Sequence, residues 1–168
     1  SHISPQQLLE LINKMGIKSS TISHPAVFTA EEASIHCSHL PGAHCKSLFL
    51  KDKNDALWLV VSLDHRQLDM KELKNILGSG RLSFGKPDLM ESVLGVKPGS
   101  VSPFALVNDG NKKVNPVIDE AIFQYEFANF HPLTNTMTTT IKSLELKDFI
   151  ANCGYSANIF NLDLVTKK

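Results

Sequence analysis

The stretch Lys46-Ser47-Leu48-Phe49-Leu50-Lys51-Asp52-Lys53-Asn54-Asp55-Ala56-Leu57-Trp58-Leu59-Val60-Val61-Ser62-Leu63 decides the fold class. Over Lys46 to Lys51, Leu48 and Leu50 alternate with Ser47, Phe49 and Lys51, the period of a strand. Ala56 to Leu63 is almost continuously apolar, as expected of a strand buried on both faces. The polar Asp52-Lys53-Asn54-Asp55 between them is a turn, so the two runs read as a hairpin.

Helices and further strands flank this hairpin on both sides. Towards the N-terminus, Ser4 caps a helix over Pro5 to Met15 with Leu8, Leu9, Leu11, Ile12 and Met15 as its apolar stripe, and Gly16 ends it. Ser19 to His24 reads as a short strand stopped by Pro25. Thr29 caps a second helix, with Glu32 at the capping-box spacing. Towards the C-terminus, Asp69 caps a helix to Leu77, a strand falls near Leu82 to Phe84, and a short helix spans Pro87 to Leu94. Val101 to Val107, Val114 to Ile118, Ile122 to Phe127 and Met137 to Ile141 are expected as strands. Ser143 is expected to cap a final helix to Cys153, before a last strand near Ala157 to Phe160. Several of the turns are too short for parallel crossovers. The expectation is a single α/β (α+β) domain over 5–165, a mixed, mostly antiparallel β-sheet surrounded by helices. Residues 1–4 are set apart as a tag remnant or disordered N-terminus.

Composition narrows the function. The 168 residues suit one domain with one core, and Lys plus Arg equals Asp plus Glu at 17 each, so the formal charge is zero. Proteins that grip long nucleic acids carry a positive excess, so the balance argues against broad duplex binding and leaves room for a short single-stranded end held by a few cations. No apolar run approaches the roughly 20 residues of a membrane helix. The polar start lacks the layout of a signal peptide. Cys37, Cys45 and Cys153 do not form a disulfide framework. The location expected is cytoplasmic.

Four groups of residues could carry chemistry, and each has a plainer structural reading. His36, Cys37, His39, His44 and Cys45 have the ligand types for zinc but not the tight spacing of a structural site, so neither a metal nor a cofactor is expected. Lys46 sits where a loop enters a strand. There an ammonium could fix a phosphate or an oxyanion, or simply be solvated. In Lys97-Pro98-Gly99-Ser100-Val101-Ser102-Pro103 the backbone after a Pro-Gly turn could present N–H groups to an anion, or merely lead into a strand. His131-Pro132-Leu133-Thr134-Asn135-Thr136 could supply a base or a donor, or a structurally bonded histidine.

Three stretches carry a wider likeness when taken in order. The first runs from His24-Pro25 through Phe28-Thr29 and Glu31-Glu32-Ala33 to Gly42-Ala43-His44-Cys45-Lys46-Ser47-Leu48-Phe49-Leu50-Lys51-Asp52. The second is Arg81-Leu82-Ser83-Phe84 with Leu94-Gly95-Val96-Lys97-Pro98-Gly99-Ser100-Val101, and the third is His131-Pro132-Leu133 with Asn135-Thr136. Together, over about residues 5 to 162, the chain resembles the YbaK/prolyl-tRNA-synthetase-associated domain family, in its free-standing alanyl-tRNA(Pro) deacylase branch (ProX/PrdX-like). The resemblance implies a trans-editing hydrolase that cleaves a small noncognate amino acid, alanine first of all, from mischarged tRNA(Pro). Lys46 takes the place of the family's essential lysine. Gly99 and Ser100 match the turn that offers backbone donors to the aminoacyl carbonyl. Phe28, Thr29, His131 and Asn135 fall in the substrate-binding set. The partner implied is the acceptor end of an aminoacylated tRNA, together with prolyl-tRNA synthetase, and no membrane. Arg81, Lys86, Lys112 and Lys113 are candidate cations for the tRNA. The chain departs from the family at Ser102, where Thr is frequent, and at Ser47, where Asn is frequent. The second departure touches pocket hydrogen bonding and hence amino-acid choice. Cysteine or serine as the group removed, or a non-catalytic module that docks on tRNA or a synthetase, are the alternatives.

Overall fold

In the computed structural model, which describes residues 2–168, the chain runs α1 (Pro5–Lys14), β1 (Ser19–Ser23), α2 (Ala30–Cys37), β2 (Ala43–Asp52), β3 (Leu57–Leu63), α3 (Met70–Leu77), β4 (Leu82–Phe84), α4 (Pro87–Leu94), β5 (Val114–Asp119), β6 (Phe127–Phe130), β7 (Met137–Lys142), α5 (Ser143–Asn152) and β8 (Asn158–Phe160). Short 3-10 helices cover Pro103–Asn108, Glu120–Gln124 and Leu162–Val165. The strands form one sheet in the order β1-β7-β6-β2-β3-β5-β8, with β4 attached to β2. The β2–β3 hairpin is antiparallel, from Cys45 opposite Leu63 to Lys51 opposite Leu57. The pairs β2/β6, β3/β5 and β5/β8 are parallel, and β1/β7, β6/β7 and β2/β4 antiparallel.

The near-continuous apolar run of β3 reflects cover on both faces. Leu57, Leu59, Val61 and Leu63 join the larger core with Leu8 and Ile12 of α1, Leu94 of α4, Phe104, and Phe149 of α5. Val60 points the other way, into a smaller core with Leu50, Leu73 of α3, Val117, Leu162 and Val165. Phe104 meets Phe130 and Phe149 edge-on, at centroid distances of 5.6 and 5.2 Å, in the geometry aromatic quadrupoles favour. Several helix boundaries follow from side-chain caps. Ser4 and Gln7 form a capping box on α1, Thr29 accepts from the Glu32 N–H at the start of α2, and Asp69 accepts from Lys71 and Glu72 at α3.

Three expectations are corrected. The run Val101 to Val107 is not a strand: Ser102 caps a 3-10 helix by accepting from the Phe104 N–H, and Phe104, Ala105 and Leu106 are all buried. A short continuous apolar run has no period to separate strand from helix, and here the Ser-Pro start selects the helix. Ile122 to Phe127 likewise divides into a 3-10 turn and the start of β6. Ser143 is the first residue of α5 rather than its cap, and its hydroxyl donates to the Tyr125 carbonyl. At the N-terminus, the Ile3 N–H donates to Asn108 Oδ1 at 2.9 Å and Ser4 caps α1, so these two residues of the segment set apart as 1–4 are tied to the domain; Ser1 lies outside the described residues.

Candidate active site

The candidate site forms where one edge of the sheet splits. β2 pairs with β3 along one edge but shares its other edge between two partners, β6 at Ala43 and His44 and β4 from Leu50 to Asp52. Between those partners no strand among the described residues pairs with the edge, and the Gly85 N–H closes one end on the Phe49 carbonyl at 2.8 Å. Gly42 lets the start of β6 lie close against the start of β2. It has φ +92°, and a Cβ there would lie 2.1 Å from the Phe127 carbonyl oxygen, so only glycine lets the two backbones come this close. A cavity of about 320 Å³ opens beside the gap. Its lining includes Val27, Phe28, Thr29, Lys46, Asp64, Gly99, Val101, Ser102 and His131. A second chamber of about 180 Å³ shares the walls Ala33, Cys45, Asp64, Phe130 and His131 and adds the polar groups of Ser34, Asn129 and Thr138. The larger volume is at the lower end of the roughly 300–1,000 Å³ usual for small-molecule sites.

Lys46 is half-buried, and its ammonium donates to the Arg66 carbonyl. Burial lowers its pKa from the usual lysine value, and the Asp64 carboxylate pulls the other way. The carbonyl that holds it is itself fixed. Arg66 Nε meets Asp119 Oδ2 at 2.7 Å and Nη1 meets Asp163 Oδ1 at 3.0 Å, while Asp119 also accepts from the Leu63 and Ala121 N–H groups. Lys46 and Gly99, far apart in sequence, line the same cavity.

The Lys97–Ser100 turn is closed by the Ser100 N–H on the Lys97 carbonyl at 3.0 Å, with Gly99 at φ +89°. Ser100 is buried, its N–H is already bonded, and it does not line the larger cavity. The N–H groups of Gly99, Val101 and Ser102 make no hydrogen bond among the described residues, and all three residues line that cavity. Ser102 is 2% exposed, so its N–H is a buried donor without an intramolecular acceptor.

The remaining expected residues divide. Phe28, 69% exposed, lies at the mouth with its ring against Gly99. Thr29 lines the cavity and caps α2. His131 lies between the two chambers with Nδ1 on the Met137 carbonyl at 2.9 Å. Burial lowers its pKa from the usual histidine value, against that carbonyl, which raises it. Asn135 stands outside the lining. Its amide donates to the Val27 carbonyl at 2.8 Å and its own carbonyl accepts from the Val27 N–H, so it ties the Phe28 segment to the His131 loop. None of Arg81, Lys86, Lys112 and Lys113 lines either chamber. Arg81 shares a surface groove with Lys51 and Lys53, and Lys112 lies 5.2 Å over the Tyr155 ring.

Three of the histidines and cysteines weighed as metal ligands have other partners. His36 stacks on His24, Cys37 meets the Thr138 hydroxyl at 3.5 Å, and His44 Nε2 contacts the Leu40 carbonyl. Among the described residues no group of three or more His, Cys, Asp or Glu is arranged to hold a metal ion. Burial, then Asp64 and Asp119, push the Cys45 thiol up from its usual range, which keeps it protonated and a poor nucleophile. Sequence reasoning missed Asp64, Val101 and Arg66. The available signal was a polar Asp-His-Arg run directly after the apolar strand, at the end of the hairpin that pairs with Lys46.

Known proteins bear on this arrangement. A sequence profile described as "Aminoacyl-tRNA editing domain" matches residues 24–149. The "Prolyl-tRNA synthetase associated domain-containing protein 1" of Bos taurus is 39% identical over 155 residues, covering 89% of this chain and 90% of the relative. The "Prolyl-tRNA editing protein ProX" of Acetoanaerobium sticklandii is 29% identical over 150 residues, covering 89% and 92%. A solved structure described as "a putative trans-editing enzyme for prolyl tRNA synthetase" has a TM-score of 0.73 at 20% identity, covering 100% of this chain and 99% of that one, a likeness of fold.

Proposed function

Because the chain belongs to the aminoacyl-tRNA editing domain family, we propose that it is a trans-editing deacylase, which hydrolyses the ester between a misattached amino acid and the terminal adenosine of tRNA, with Ala-tRNA(Pro) as substrate. The observation that carries the reading is that Lys46 and the unbonded backbone N–H groups of Gly99, Val101 and Ser102 line one cavity.

An aminoacyl ester is already activated, so the site needs to place water and stabilise charge rather than supply a nucleophile. Water adds to the ester carbonyl, and the carbonyl oxygen becomes an oxyanion. Preorganised N–H donors lower that barrier because they are already turned towards the developing charge. Gly99, Val101 and Ser102 supply these donors; the Ser100 N–H, committed to its turn, does not. The carbon–oxygen bond to ribose then breaks, the leaving oxygen takes up the proton that the added water gives up, and free amino acid and tRNA separate. The neighbouring ribose 2′-hydroxyl helps to order the water. Lys46, anchored through Arg66, neutralises the terminal phosphate. The choice of alanine over proline is steric, by a pocket that admits the smaller side chain. A single binding step gains only about 1–3 kcal/mol from such a difference, which is why a second, separate sieve is useful. In the smaller chamber Asn129 and Thr138 already have partners within the fold, and the Ser34 hydroxyl favours one alternative, a hydroxyl- or thiol-bearing amino acid such as serine or cysteine.

Deacylation of tRNA(Pro) charged with alanine or with proline tests the reading, with Ser-tRNA and Cys-tRNA in parallel. The expected result is rapid loss of alanine, retention of proline, and a fall of 100-fold or more in Lys46→Ala with an unchanged melting temperature. Full activity of a folded Lys46→Ala variant, or tight tRNA binding with no turnover by the wild type, would refute it.

A further inference from the structure

Asp64 differs from the buried aspartates of this fold. Asp52, Asp109 and Asp119 are buried and each is saturated: Asp52 by the N–H groups of Asn54, Ala56 and Gly80, Asp109 by Lys113, Val114 and Tyr155, and Asp119 by Arg66, Leu63 and Ala121. Asp64 lies only partly exposed in the wall shared by the two chambers. Yet among the described residues its carboxylate accepts no hydrogen bond and makes no ion pair. The nearby Lys46 ammonium is engaged by the Arg66 carbonyl instead.

A bare carboxylate is a poor companion for a nucleic acid. Within a partly desolvated cleft it repels phosphate, and the nearby Lys46 ammonium attracts the carboxylate without bonding to it. The acceptor end of an aminoacyl-tRNA brings a single cationic group, the α-ammonium of the amino acid, which with an ordinary value of about 7.7–8.0 is largely protonated at neutral pH. We propose that the Asp64 carboxylate receives the α-ammonium of the aminoacyl group, so that a free, protonated α-amine is a required part of the substrate. This rests on the deacylase reading for its substrate and adds the group by which the amino acid is oriented. With Lys46 on the terminal phosphate and Asp64 on the amine, the two charges of the site match the two charges of the ligand in one orientation. That orientation presents the ester carbonyl to the turn at Gly99. An N-acylated aminoacyl-tRNA, whose nitrogen is neutral, is then refused.

The test compares wild type and Asp64→Asn on Ala-tRNA(Pro) and on N-acetyl-Ala-tRNA(Pro). The expected result is a fall of tenfold or more in wild-type kcat/KM on acetylation, a similar fall in Asp64→Asn on the free amine, and a free-amine to acetyl ratio near one in the variant. Equal losses on both substrates would assign Asp64 to water activation or to support of the fold and overturn the proposal; so would an unchanged ratio. Binding of the non-hydrolysable 3′-alanylamino-3′-deoxyadenosine and its N-acetyl form gives a readout independent of turnover. An amine preference lost in Asp64→Asn, in a protein that hydrolyses no tRNA ester, would sink the deacylase reading and leave the role of Asp64 standing. Equal binding of the two analogues by wild type would overturn that role.

Discussion

Gly99 is held in place by two demands, a left-handed backbone and an empty side-chain position. At φ +89° an L-residue is strained, and a Cβ would sit 3.2 Å from Phe28 Cδ1 and 3.4 Å from Asn135 Nδ2. Gly99→Ala is expected to lower stability by about 1–2 kcal/mol, the cost of placing an L-residue in that region. It should lower deacylation by tenfold or more, because the turn that aims the donors shifts as Phe28 is displaced. A thermal melt and the Ala-tRNA(Pro) assay, run on one preparation, separate the two effects. Glycine after proline announces this turn in the sequence. Which N–H closes the turn and which remain free follows from its geometry, and so the proposed donor role passes from Ser100 to Val101 and Ser102.

The end of the β2–β3 hairpin couples stability to the site. Arg66 and Asp119 are 7% and 0% exposed, and their ion pair fixes the carbonyl that holds Lys46. Arg66→Met leaves the Asp119 charge without its partner, and breaking a buried pair in this way costs about 3–5 kcal/mol. Urea unfolding is expected to show that loss. In the double variant Arg66→Met/Asp119→Asn, which removes the bare charge and keeps an acceptor for the Leu63 and Ala121 N–H groups, part of it should be recovered, with deacylation still impaired because the carbonyl that holds Lys46 is no longer fixed. At this scale the sequence was legible wherever the signal was local. Caps at Ser4, Thr29 and Asp69, and the apolar run of β3, appear where expected. It failed at 101–107, where Phe104, Ala105 and Leu106 are buried together and carry no alternation to read.

Across the whole molecule, titration ties packing to pH. Burial lowers the His131 pKa, so the unfolded chain binds that proton more readily than the folded one. Stability is therefore expected to decline as pH falls below the usual histidine value of 6.5 and on through the lower folded value. Asp52 acts further down. Burial alone would raise its pKa, but the N–H groups of Gly80, Ala56 and Asn54 outweigh it and the net shift is downward. Its contribution is present above the usual 3.8 and is lost as pH falls through the folded value. Urea midpoints across the acid range should fall in two stages, and His131→Gln should flatten the first. The balance of 17 basic and 17 acidic residues agrees with the proposal that only one end of a nucleic acid is engaged.

By itself the order of residues determined the hairpin, the capped helices and the likeness to editing domains, because period, caps and turn residues act over a few neighbours along the chain. Only the tertiary structure decided that the edge of β2 is left open between two partner strands, and that Lys46, Asp64, Gly99 and His131 converge there. Strand periodicity says which side of a residue is buried but not which distant strand lies beside it. Whether a polar group is satisfied or bare depends on neighbours that folding alone supplies. Asp52 and Asp64, the same residue type at opposite ends of one hairpin, differ for that reason: one is saturated by its turn, and the other faces the cleft with its carboxylate free.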